Sequence, residues 1–386
     1  MGFAQRTRHL APEGAYQVLA KAGQLEAAGR EIIHFEIGQP DYETFSNVSL
    51  AGIKAISEGK TRYTHPSGVP SLREVIAADI GRRRSIQISP EEVIVSPGGK
   101  PNLFFPTLAL VEPGDEVIYP NPGFPTYEAM IGVAGGVPVA VPLLEENDFS
   151  FDLDAFDTLI NRRTKLIILN SPSNPTGGVI PRADLEHIAA QAQKFGCWVM
   201  SDEIYARIAY DGLEVFSIAS LPGMKERTII VDGFSKTYSM TGWRLGFGIM
   251  PRELADRVSL LLTHSLGSTA HFTQFAGMEA ITGPQDMVAG MVSEYQRRRD
   301  VIVAGLNEIP GFTCRKPQGA FYVFPNIKAT GRTSDELANL ILEQAGVALL
   351  PGSSFGEYGE GYLRLSYATS IPTIEKGLAH IRAVLA

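Results

Sequence analysis

Five short apolar runs, each ending on or just before a polar or turn-forming residue, constrain this chain more than any other feature. "EEVIVS" (91–96), "DEVIYP" (115–120), "TKLIILN" (164–170), "CWVMSD" (197–202) and "RTIIVD" (227–232) are too short for helices and rich in Val and Ile. Their apolar character predicts strands buried on both faces, the pattern of a parallel sheet. Between them "RADLEHIAAQAQKFG" (182–196) has apolar residues at helical spacing and stops on Gly196, a suitable C-cap. The expected fold is α/β, with a mainly parallel central sheet and helices on both faces.

After about residue 285 the pattern changes. A long charged helix, "VAGMVSEYQRRRDVIVAGLNEI", leads to strand-like pieces "AFYVFP" and "YLRLSYA" and a closing helix "IPTIEKGLAHIRAVL". The expected division is a large unit over 46–285 and a smaller α+β unit formed by both chain ends, 1–45 and 286–386. Pro106, inside the helical stretch that follows Gly99, is expected to kink that helix or end its first segment.

Composition narrows the function. A net charge of −8 argues against nucleic acid or an anionic membrane as partner. Two cysteines, Cys197 and Cys314, cannot build a disulfide framework and suggest a reducing compartment. The start "MGFAQRTRHLAPEG" lacks a signal peptide's apolar stretch, and no apolar run is long enough for a bilayer. A soluble, cytoplasmic protein is expected. The seven histidines show no metal-ligand spacing, so no metal is expected. "PGGKPN" lacks P-loop spacing; "LGFGIMP" lacks the third glycine of a dinucleotide fingerprint and is not expected to precede a helix start. An effector domain of a transcription regulator would need a DNA-binding module, for which the about 35 residues ahead of "EIGQPDYETF" are too few.

In open α/β sheets ligands gather beyond the carboxyl ends of strands. "LIILNSPSNPTGG" leads there to Asn174, "CWVMSDEIY" to Asp202 and Tyr205, and "TIIVDGFSK" to Lys236. "VIVSPGGKPNLFF" runs through Gly98 and Gly99 into a helical stretch whose free N–H groups suit an anion. Taken singly these are ordinary: a helix N-cap, turn residues, a tight turn, a solvated lysine. Together they place an amine, a carboxylate, an amide, a phenol and an anion nest on one rim. Pyridoxal 5'-phosphate needs that set. Lys236 would supply the amine for a Schiff base, Asp202 would keep a proton on the pyridine nitrogen, and Tyr205 and Asn174 would hydrogen-bond the phenolic oxygen. Gly98, Gly99, Ser235 and Arg244 would hold the phosphate.

The segment "SKTYSMTGWRLG" resembles the lysine signature of class I pyridoxal-phosphate aminotransferases of the aspartate aminotransferase type. "NSPSNPTG", "SDEIY", "GAFYV" and "LRLSYATS" resemble that family's other marks, in its order, and the likeness runs from "EIGQPDYETF" to the C-terminus. The resemblance implies fold type I and a homodimer. It implies that Arg364 grips the substrate α-carboxylate with help from the backbone of Gly38, and that Tyr63 reaches the phosphate of the neighbouring subunit's cofactor. Phe124 falls where the family stacks an aromatic on the ring, with an ordinary core phenylalanine as the competing reading. Lys100 resembles a reader of the distal carboxylate; general electrostatics beside the phosphate is its rival. The implied activity is ping-pong amino transfer from an acidic or broader set of L-amino acids to 2-oxoglutarate. An alanine or aromatic aminotransferase and a C–S β-lyase are the alternatives.

Overall fold

A computed structural model of the chain describes residues 3–7 and 10–385. In chain order its strands are β1 (Ile33–His34), β2 (Val93–Ser96), β3 (Glu116–Asn121), β4 (Val137–Leu144), β5 (Ser150–Phe151), β6 (Thr164–Asn170) and β7 (Trp198–Asp202). β8 (Thr228–Gly233), β9 (Gly246–Ile249), β10 (Tyr322–Val323), β11 (Val347–Ala348), β12 (Leu350–Pro351) and β13 (Leu363–Ser366) complete the set. Eight of them form one sheet in the order β2-β9-β8-β7-β6-β3-β4-β5. Neighbours from β8 through β4 pair in parallel, whereas β9 is antiparallel to both β8 and β2, and β5 is antiparallel to β4.

The strands read as unbroken apolar runs because both faces are covered. Val117, Leu166, Ile168, Ile229 and Val231 pack with Leu103, Tyr127, Ile131 and Val258 of the helices Lys100–Leu110, Thr126–Ala134 and Arg252–Thr263. The alternate residues Ile118, Ile167, Leu169 and Val199 face the other way, onto Leu185 and Ile188 of the helix Arg182–Phe195. Period-two alternation is present, but each position meets a helix, and burying each such side chain contributes about 1.5–3 kcal/mol. The helix Arg182–Phe195 ends as expected on Gly196, at φ 74°.

One expectation is narrowed and one corrected. The helix Lys100–Leu110 continues past Pro106, so its first segment does not end there. Buried Leu103, Pro106 and Thr107 hold the turn by packing, and Thr107 Oγ1 donates to the Leu103 carbonyl at 2.8 Å. "LGFGIMP" does precede a helix start, since Arg252–Thr263 begins directly after Pro251. The strand in that stretch, β9, is antiparallel to its neighbours, so it opens no parallel βαβ unit of the dinucleotide kind.

The chain ends are tied together. β1 pairs in parallel with β11, Ile33 against Val347, and the Phe35 carbonyl accepts from the Ser366 N–H at 2.8 Å. β10, β13 and β12 form a small antiparallel sheet. The helix Asp286–Asn307 buries Tyr295, Arg299 and Ile302. Cys197 and Cys314 are free and buried. No helix among the described residues is long and apolar enough to cross a membrane.

Candidate active site

A cavity of about 780 Å³ opens beyond the carboxyl ends of β6, β7 and β8, with β13 and the segment after β1 facing it. It collects Gly38, Gly99, Lys100, Phe124, Asn174, Asp202, Tyr205, Ser235, Lys236, Arg244 and Arg364. Gly98 lies directly behind, at φ 86°. Tyr63 does not line this cavity and is 97% exposed on its own chain.

Each group is held by its strand end. Asn170, the last residue of β6, accepts from the Asn174 N–H through Oδ1 at 2.9 Å. Its amide donates to the Asp202 carbonyl at 3.1 Å, so one side chain pins the loop bearing Asn174 to the end of β7. Asp202 Oδ1 accepts from the Ile204 N–H at 3.2 Å and Oδ2 from the Tyr127 hydroxyl at 2.8 Å. Burial pushes the Asp202 carboxyl up to about 6, while those two donors hold it down. It remains mostly ionised at neutral pH. The Tyr205 and Tyr322 hydroxyls share a hydrogen bond of 2.7 Å, and burial keeps both phenols protonated.

Lys236 sits three residues past β8, and its Nζ donates to the Gly38 carbonyl at 2.5 Å. Burial lowers its pKa to about 8, with the cations of Arg364, Arg244 and Lys100 adding to the effect. The sign is that of a cation disfavoured by its surroundings, so the amine is neutral above about pH 8. Differential acylation of the cofactor-free protein, read by mass spectrometry, should therefore show Lys236 half-reactive near pH 8. A midpoint at the ordinary lysine value of 10.5 would contradict this environment.

Arg364 lies between buried Leu363 and Leu365 on β13. Its Nη1 donates to Asn174 Oδ1 at 3.3 Å and its Nη2 to the Glu36 carbonyl, while Nε has no partner. The guanidinium stacks 4.6 Å over Tyr322 and 5.1 Å over Phe355. Among the described residues no carboxylate pairs with it. Burial pushes its pKa down.

The same cavity is lined by the turn where β2 leads into the helix Lys100–Leu110. The first amides of a helix have no acceptor within it. Gly246 of β9 packs so closely on Gly98 and Gly99 that a Cβ there would strike their backbone, and a Cβ on Gly98 would strike the Arg244 guanidinium. The Gly98 N–H is given to the Ser96 carbonyl at 2.8 Å, so Arg244 and Ser235 share the cavity with the amides that follow it at the helix start, a donor set suited to a dianion. A carboxylate stands ready for a ring nitrogen, and a phenol and an amide for a ring oxygen, so the residues present fit pyridoxal phosphate.

Four participants escape a reading of the sequence alone. Tyr127 belongs to "NPGFPTYEAM" but becomes relevant only because the helix Thr126–Ala134 aims its hydroxyl at Asp202. Tyr322, within "GAFYV", fills the space beside Gly38, where a Cβ would meet its hydroxyl. Asn170 and Glu13 look like a strand terminus and a surface acid. Phe124 stands edge-on to Tyr127, ring centroids 5.7 Å apart, in the cavity wall. No group of three or more metal-ligating side chains occurs among the described residues.

An amine whose pKa is lowered to about 8, set where a phosphate and a ring can be held at once, is what a carbonyl cofactor demands of a protein. The class so defined is the pyridoxal-phosphate enzymes of fold type I. The family model of class I and II aminotransferases matches residues 30–381, and the chain belongs to that family. It is 40% identical to an aspartate aminotransferase of Geobacillus stearothermophilus over 99% of this chain and 98% of that one. It is 39% identical to a probable aspartate/prephenate aminotransferase of Aquifex aeolicus over 100% and 98%. The solved aspartate aminotransferase from Thermus thermophilus with maleate superimposes with a TM-score of 0.95 at 36% identity, covering 100% of both chains. The protein is a pyridoxal-phosphate-dependent aminotransferase.

Proposed function

We propose that this aminotransferase moves the amino group of an L-amino acid, with an acidic side chain preferred, onto 2-oxoglutarate in two half-reactions sharing one cavity. The bare, buried guanidinium of Arg364 carries this reading. A buried cation without a counter-ion is costly. An incoming carboxylate removes that cost, and an α-carboxylate is common to every amino and 2-oxo acid. Arg364, Asn174 and the backbone of Gly38 would fix the substrate so that its Cα–H points at the Lys236 amine. With its pKa lowered to about 8, Lys236 can take and return that proton at neutral pH.

When bound, the cofactor supplies an aldehyde carbon that takes the amino group and a ring that spreads the electron pair left at Cα. Asp202 would hold the proton on the ring nitrogen, and Tyr205 and Asn174 would donate to the ring oxygen. Gly98, Gly99, Ser235 and Arg244 would bind the phosphate, with Phe124 against the ring. The chain would divide into a large unit, 46–285, and a small one from 1–45 and 286–386. As a homodimer it would place Tyr63 of one subunit in the hollow of about 710 Å³ beside Arg244 of the other, lined by Tyr42, Trp243 and Phe272. The two reduced, buried cysteines support a cytoplasmic setting.

Lys100, in the same cavity as Arg364, supports the acidic preference, as do relatives named for aspartate. The alanine, aromatic and C–S β-lyase alternatives fit less well. Lys100→Ser should raise KM for aspartate about tenfold more than for alanine, the loss of one charged contact. Equal effects on both donors would remove the acidic preference.

A further inference from the structure

The Lys100 ammonium is already paired. Its Nζ meets Glu13 Oε1 and lies 5.3 Å over the Phe124 ring, while the Thr126 hydroxyl donates to the same glutamate oxygen at 3.4 Å. Glu13 directly precedes the helix Gly14–Ala27, whose Tyr16 and Leu19 also line the cavity. The pair is only partly covered, with the Lys100 and Glu13 side chains 50% and 27% exposed, so it can open. The protein's own N-terminal segment thus sets a carboxylate on the cation assigned above to the distal carboxylate of a diacid. Two carboxylates on one ammonium repel each other, so a diacid and Glu13 compete for Lys100.

We infer that Glu13 is a specificity residue: it closes on Lys100 when the substrate side chain is uncharged, and a dicarboxylic substrate binds by displacing it. The inference rests on the reading of Lys100 in the proposed function. It also answers a demand of ping-pong chemistry, in which one cavity receives two side chains in turn. A neutral side chain would lie on Phe124, Tyr16 and Leu19 beside a closed, charge-neutral pair. A diacid would meet a free ammonium.

The test compares Glu13→Gln, Glu13→Ser, Lys100→Ser and the Glu13→Gln/Lys100→Ser double variant as full-length holoenzymes. Calorimetry would give the Kd of succinate, an unreactive diacid, and kinetics the ratio of kcat/KM for aspartate to that for alanine. Both Glu13 variants should bind succinate about tenfold tighter and raise the ratio about tenfold, and the gain should vanish in the double variant. If Lys100→Ser weakens succinate binding but the Glu13 variants leave Kd and ratio unchanged, the inference is overturned and the reading of Lys100 stands. A gain that persists without Lys100 also overturns it. If Lys100→Ser and wild type bind succinate alike, the reading of Lys100 fails and the inference falls with it.

Discussion

Lys236→Ala is expected to lower turnover by at least about 10⁴-fold, the upper range for removing a positioned acid–base group. It should also abolish the visible absorbance and the borohydride-trapped cofactor adduct on the peptide containing residue 236. The fold should survive. Lys236 donates one hydrogen bond, to the Gly38 carbonyl, and alanine removes an amine that burial already disfavours. A melting temperature equal to or above wild type, with activity gone, separates a chemical role from a structural one. Full activity with an unchanged spectrum would sink the assignment of position 236.

Arg364→Leu should cost about 2–5 kcal/mol in kcat/KM, roughly 30- to 5,000-fold, the range for truncating one partner of a buried charge pair. Aspartate and alanine should lose alike, because the contact is to the group they share. The cofactor spectrum should remain, since no phosphate or ring contact is assigned to this residue. Stability should rise or hold: leucine between Leu363 and Leu365 replaces a guanidinium whose Nε has no acceptor. A loss confined to aspartate would move the distal-carboxylate role onto Arg364. A change below about threefold would leave its bare charge without a purpose.

The sequence made the central strands legible because β3, β6, β7 and β8 sit between helices and carry no polar face. β4 was hidden. "VPVAVPLL" holds two prolines and its first residues are exposed, so it has neither the run of a buried strand nor clean alternation. β9 was hidden by its glycines, which read as a loop until Gly246 is seen against the backbone of Gly98. The candidate site was legible where chemistry sits at a strand end, as for Asp202 and Lys236. It was illegible where a tertiary contact creates the role. Nothing local separates Tyr127 from a core tyrosine, and nothing in "APEGAYQ" says that Glu13 will meet Lys100.

The pairing of β1 with β11 has a bearing on how the protein is made. All eight strands of the central sheet are encoded between residues 93 and 249, so that sheet can close while the last third of the chain is still being translated. β1 must wait for residue 347, about 15 s to a minute at ordinary ribosomal speeds of about 5–20 residues per second. Glu36 and Gly38, whose carbonyls take up Arg364 and Lys236, lie just past β1 and wait with it. A nascent chain can thus own its lysine and its anion cradle well before it can grip an amino acid.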